Sequence, residues 1–174
     1  NTIPTLQVPA SNFFIPIATP FYMAATANDP DNQTLTYSWE QYDLGPAGTP
    51  NEPQKNAPLF RVFGPVEQVM RTFPQISDIV NNTHTLGELL PNTNRDLHFR
   101  CVVRDNAAGG GAADFAEVAF KTTDFAGPFL VLSPNGNEKW TANTTRTVKW
   151  DVANTNLTPV NCQKVNIMFS ADGG

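Results

Sequence analysis

The chain has little of what most catalytic centres require. Two histidines and two cysteines are spread through 174 residues. No H-E-x-x-H motif sets two imidazoles on one helical face beside a glutamate base, so the commonest zinc-peptidase centre is excluded from this segment. His84 and His98 lie in unlike settings, and His98, on the polar side of an alternating stretch, reads as a surface residue rather than a metal ligand. Glycines 109–111 lack the strand-to-helix context of a phosphate cradle. Charged residues make up 16% of the chain, under the roughly 25% typical of soluble domains. The net charge is -5 and no Lys/Arg cluster offsets it, which argues against nucleic acid and anionic lipid as partners. No apolar run approaches the roughly 18 residues needed to span a bilayer, and no signal peptide is visible. The sequence therefore predicts neither membrane nor nucleic acid as a partner.

Cysteine is too scarce for a disulfide scaffold. An immunoglobulin-type bridge from Cys101 would need a second cysteine on the early strand around Phe21 to Ala27, and none is there. Cys101 is in phase with Leu97, Phe99 and Val103, the setting of a small buried hydrophobe. Cys162 lies far along the chain.

Proline and glycine are plentiful, with fifteen and eleven spread along the chain. They suit many short strands separated by turns and predict an all-β fold. The organising stretch is 27–43, ANDPDNQTLTYSWEQYD. Leu35, Tyr37 and Trp39 alternate with Thr34, Thr36, Ser38 and Glu40, as on a strand with one dry and one wet face. Ahead of it, Asp29-Pro30-Asp31-Asn32 is turn chemistry.

Along the chain, prolines at 4, 9, 16 and 20 confine the start to edge pieces at Leu6 to Val8 and Phe13 to Ile17. A proline-free strand at Phe21 to Thr26 is expected to pair with Leu35 to Gln41. Asp43 to Pro58 reads as a long exposed loop. Leu59, Val62 and Phe63 suggest a strand, and Val69 to Phe73 another. Ile76 to Leu90 fits a helical turn or a strapped loop. Leu97 to Arg104 is the best central strand, and Phe115 to Thr122 the returning one, with Val118 and Phe120 in phase. Thr123 to Gly127 reads as a linker. Three more strands follow, at Phe129 to Leu132, Thr147 to Val152 and Lys164 to Phe169, with Trp150 in phase with core positions. The predicted organisation is one sandwich over 1–124 and the first strands of a second, truncated one over 125–174. A chain that starts without Met and stops at Asp172-Gly173-Gly174 is expected to be a piece of a longer protein.

Taken in order, TLTYSWEQYD (34–43), APLFRVF (57–63), RTFP (71–74), LHFRCVVRDNAAGGG (97–111), GPFLVLSPN (127–135), TVKWDVANTN (147–156) and PVNCQKVNIMFSADGG (159–174) resemble the region that follows the catalytic domain in secreted bacterial reprolysin-like zinc metallopeptidases. That resemblance implies immunoglobulin-like, PKD-like or cadherin-like accessory domains, an extracellular or cell-surface location, and the catalytic domain of the parent chain as a partner. Zinc would then belong only to the absent catalytic domain.

Calcium is the one cofactor the residues argue for, since a hard cation takes six to eight oxygens from Asp, Asn and carbonyl groups. In PKD-like and cadherin-like relatives acidic positions of this type bind calcium. The candidates are Asp29 and Asp31 in the first turn, Asp43 after the Trp39 strand and Asp105 after the central strand. Asp43 lies at the opposite end of its strand from Asp29, so the four do not make one site. The competing reading is that all four are turn formers, with no cofactor required. No catalytic residues are expected, and Glu40 with Glu88 is a poor glycosidase pair. The remaining function classes are a spacer or substrate-presenting role and a glycan- or protein-binding role resting on Tyr22, Tyr42, Phe115 or Trp140. Extracellular protein or polysaccharide would be the partner in the second.

Overall fold

The computed structural model describes residues 1–136 and 138–170, so the expected end at Asp172–Gly174 lies outside the described residues. The described chain is built of β-strands with one short helix. In order these are β1 (Thr5–Gln7), β2 (Phe14–Pro16), β3 (Phe21–Ala24), β4 (Thr26–Asn28), β5 (Thr36–Gln41), β6 (Met70–Phe73), α1 (Ile76–Asn81), β7 (Arg95–Arg104), β8 (Ala113–Thr123), β9 (Leu130–Ser133) and β10 (Lys149–Asp151). Among the described residues no helix is long and apolar enough to cross a membrane.

The strictest alternation in the sequence forms the centre. Leu97, Phe99, Cys101 and Val103 on β7 are fully buried, while the intervening residues face outward. β7 pairs antiparallel with β5 on one side and β8 on the other, and β2 adds to β8 in parallel, giving the order β2-β8-β7-β5. Opposite charges meet across the outer face, where Glu40 and Glu117 both stand opposite Arg100, and Arg100 Nη2 lies 2.6 Å from Glu40 Oε2. Exposed pairs of this kind contribute only ~0–1 kcal/mol. The inner face carries the stability.

β3 and β4 are nearly continuous, interrupted only at the buried Ala25. The first half pairs with β6 and the second with β1, both antiparallel. Together they form a layer packed on the four-stranded sheet through aromatic rings. Phe21 stacks on its cross-strand partner Phe73 at 5.0 Å and meets Phe99 and Phe120 edge-on at 6.2 and 5.7 Å. Phe99 in turn stacks on Phe120 at 5.6 Å. Trp39 and Val118 complete this cluster, so Trp39, Phe99 and Val118 all line the interior. Each fully buried ring contributes about 1.5–3 kcal/mol of transfer free energy.

Several expectations are corrected. Phe21 to Thr26 does not pair with Leu35 to Gln41. β3 takes β6 and β5 takes β7, because consecutive strands here enter opposite layers. Leu59, Val62 and Phe63 make no strand. Leu59 and Phe60 are buried, but their N–H groups donate to the Gln41 side-chain carbonyl at 2.8 and 3.0 Å instead of to a ladder. The 76–90 stretch opens with α1, which ends at Asn82 in the left-handed conformation.

Beyond β8, residues 123–127 are not a free tether. Ala126 is buried, Asp124 N–H donates to Asn94 Oδ1 at 2.7 Å, and Gly127 has φ +100°. A Cβ at Gly127 would lie 2.3 Å from the Ile17 carbonyl oxygen, so only glycine fits. β9 and β10 then pair with a bulge between Lys149 and Trp150. Trp150 is 38% exposed, not buried. Lys164 to Phe169 forms no strand and its Val165, Ile167 and Phe169 are exposed. With two short strands there is too little sheet to cover their apolar side chains.

Candidate functional site

The four aspartates fall into three settings. Asp29 opens the turn between β4 and β5. Its main-chain carbonyl accepts Asn32 N–H at 3.1 Å, and its Oδ2 accepts Gln33 N–H at 2.6 Å. Asn32 turns the chain with φ 56°, which Asn tolerates better than most residues. Asp29 is 7% exposed, and both its Oδ1 and the Gln33 side-chain oxygen are buried without a hydrogen-bond donor. Two orphaned oxygens in one turn have the chemistry a hard cation takes.

Asp31 and Asp105 bind the start of the chain. Asp31 Oδ2 accepts Thr2 N–H at 2.5 Å. Asp105, past the end of β7, is buried, and its Oδ2 accepts the Asn1 side-chain amide at 2.7 Å while Oδ1 accepts Ala112 and Ala107 N–H at 2.8 and 3.1 Å. Desolvation pushes the Asp105 carboxyl upward, but these donors outweigh it and hold its pKa below the ordinary range. Filled by N–H groups, Asp105 is the anchor of the 105–112 turn and not an open ligand.

Asp43 lies beyond the other end of β5 and is likewise filled. Oδ2 accepts Gln41 Nε2 at 2.6 Å and His98 N–H at 3.1 Å, and Oδ1 lies 2.5 Å from His98 Nδ1. With Gln41 gripping Leu59 and Phe60, this network clamps both ends of the 43–58 loop. A buried carboxylate on Nδ1 orients an imidazole. Among the described residues, however, His98 side-chain bonding ends at Asp43, with no hydroxyl or thiol on the ring. No group of three or more His, Cys, Asp or Glu side chains is placed to hold a metal ion among the described residues. Of the four candidate aspartates, Asp29 alone keeps a buried carboxylate oxygen without a donor among the described residues.

Sequence reasoning missed an ion pair in the interior. Arg71 Nη2 lies 2.6 Å from Glu88 Oε1 and donates to the Arg61 carbonyl at 2.8 Å, while Nη1 donates to the Trp39 carbonyl at 2.8 Å. The guanidinium also stands over the Phe63 and Phe73 rings at 4.7 and 4.4 Å. Desolvation is the main influence on both partners, raising the Glu88 pKa and lowering that of Arg71 against their mutual attraction. The signal was Arg71 itself: it shares the phase of Phe73 on β6, and a cation facing inward calls for a buried carboxylate. Glu40 and Glu88 are thus occupied by Arg100 and Arg71 and do not face one another across a cleft.

Of the aromatic candidates, Tyr22 is 66% and Phe115 58% exposed. They stand on β3 and β8, in different layers, so they form no two-ring platform. Trp140 is exposed in the region after β9, and Tyr42 is half-buried, 5.9 Å from the His98 ring. Cys101 is buried and Cys162 exposed, both as free thiols. Comparison with protein-family models, with curated proteins and with solved structures returns no match.

Proposed function

We propose that the chain is a non-catalytic accessory segment of a secreted protein. In this reading an immunoglobulin-like β-sandwich over 1–124 is followed by the opening strands of a second over 125–174. Together they act as a spacer or substrate-presenting arm for a zinc metallopeptidase domain. The observation that carries this is the strand connectivity. The first strand is divided between layers, β1 on β4 and β2 parallel on β8. β3/β4 and β6 then share one layer while β5, β7 and β8 share the other. That order supports an immunoglobulin-like reading, since in that sandwich strands A, B and E face C, F and G. The fold alone does not specify activity. What supports the accessory role is the use of the acidic side chains: Asp43, Asp78 and Asp105 accept internal donors, as in a scaffold.

The test is incubation of the purified chain with casein, gelatin and chromogenic glycosides. No turnover is expected, and turnover abolished by His98→Ala would overturn the reading. Calcium enters it as an optional structural ion at the Asp29–Gln33 turn. Occupancy at 100 times the dissociation constant would add about 2.7 kcal/mol of apparent stability. The melting temperature should fall on chelation in the native chain and stay put in Asp29→Asn; no shift at millimolar calcium removes the ion. A glycan- or protein-binding, adhesin-like role is the second reading, favoured by the exposed rings of Tyr22, Phe115 and Trp140. Retention on insoluble polysaccharide that is lost in Tyr22→Ala would support it.

A further inference from the structure

Between β5 and β6 the sandwich leaves an apolar gap that faces solvent. Residues 37–39 of β5 and 70–72 of β6 all line one cleft of about 520 Å³. Successive side chains on a strand point to opposite faces, so a cleft lined by three in a row on each strand runs along the strand edges and not over one face. These edges are thinly covered. β6 pairs only with β3, and beyond β7 the partner of β5 is an isolated bridge from Tyr37 to Val66. Val66, Met70 and Ile76 all line the cleft and all are exposed. An apolar edge of this kind accepts an extended segment. The same chain brings one to it. Met168 also lines the cleft, although its side chain is 88% exposed. It belongs to the 164–169 stretch, which alternates as a strand does yet forms none, and its neighbours Ile167 and Phe169 are exposed too.

We propose that residues 164–169 are a strap poised to close on this edge, lying along β6 with Met168 seated among Val66, Met70 and Ile76. Methionine suits such a seat, since its unbranched thioether adapts to an irregular apolar gap. The occupant is the chain's own segment because Met168 already stands at the cleft, and two parts of one chain meet at a high effective concentration. Closed, the strap ties the β9 and β10 region to the first unit and denies the edge to a strand from another molecule. Open, it leaves that edge free to pair. The strap is independent of the accessory role proposed above and uses none of the aspartates considered for calcium.

The chain has three methionines, Met23, Met70 and Met168, so proton–carbon NMR of the whole chain with isotope-labelled methionine methyl groups gives three signals to follow. An Overhauser contact between the Met70 and Met168 methyl groups is expected, unchanged on dilution. Met168→Asp should move the Met70 signal and leave that of the buried Met23 in place. Ile76→Asp should release the strap and speed peroxide oxidation of Met168 by about 10-fold, the factor for baring one apolar side chain. Met168 and Ile76 are both exposed, so neither variant threatens the fold. The proposal is overturned if the Met168 methyl makes no contact with that of Met70, if Met168→Asp leaves the Met70 signal unmoved, or if peroxide oxidises Met168 alike in the native chain and in Ile76→Asp. A contact that weakens on dilution also overturns it, by making a second copy the occupant.

Discussion

Replacing Arg71 by alanine should be among the most damaging single changes in the chain, and more damaging than neutralising its partner. Glu88 has a fully buried side chain and Arg71 a side chain 13% exposed, so neither charge is screened by water. Glu88→Gln removes one charged acceptor and leaves the guanidinium on the carbonyls of Trp39 and Arg61, a loss of about 1.5–3 kcal/mol. Arg71→Ala strips the cation from a buried carboxylate, orphans both carbonyls and deletes the contacts with the Phe63 and Phe73 rings. Breaking a buried pair in this way costs about 3–5 kcal/mol, which for a chain of this length lowers the melting temperature by on the order of 10 °C.

The variant also carries a pH signature. Burial already raises the Glu88 pKa, and removal of Arg71 raises it further. A group whose folded pKa lies above its unfolded value supports the fold at low pH and loses that support as pH rises through the folded pKa. The Arg71→Ala deficit should therefore shrink as pH falls from the raised Glu88 pKa of the variant toward the ordinary glutamate range. Urea unfolding followed by circular dichroism at several pH values measures both effects. A deficit under about 1 kcal/mol, or a larger loss in Glu88→Gln than in Arg71→Ala, would refute this account of the pair.

Burial pushes the Cys101 thiol up to about 12, so alkylation of the native chain at pH 8 should modify Cys162 alone. Mass spectrometry should find a second adduct only after unfolding. Asp105 shows the opposite linkage to Glu88. Its pKa is held below the ordinary value by N–H donors, so its contribution is present above the unfolded aspartate pKa and is lost as pH falls through the folded one. Acid should free Asn1 before the sheets open, and amide exchange at Ala107 and Ala112 should report it, with Asp105→Asn flattening the pH dependence.

The central layer was legible because its residues obey one local rule. Leu97, Phe99, Cys101 and Val103 alternate without exception, and Trp39 and Val118 fall into the same interior by the same rule. Pairing was less legible. Nothing local to Phe21–Thr26 says that its partner lies near residue 72 rather than residue 37, since that choice is made by the layer each strand enters. Polar residues on the dry face held unread information. Gln41 shares the phase of Trp39, and Arg71 that of Phe73; each faces inward and fixes a distant segment, the 57–60 stretch in one case and Glu88 in the other. At 164–169 alternation is present but no strand pairs with it, so the pattern alone does not make a sheet.

The short parallel pairing of β2 with β8 also bears on mechanics. Phe14–Pro16 and Lys121–Thr123 run in the same direction, so tension drawing residue 1 one way and residue 124 the other pulls along both strands. Their hydrogen bonds are then strained together as a patch under shear, rather than unzipped one after another. A tether built from such units would resist stretching through a few residues at its edge while its aromatic interior stayed unloaded.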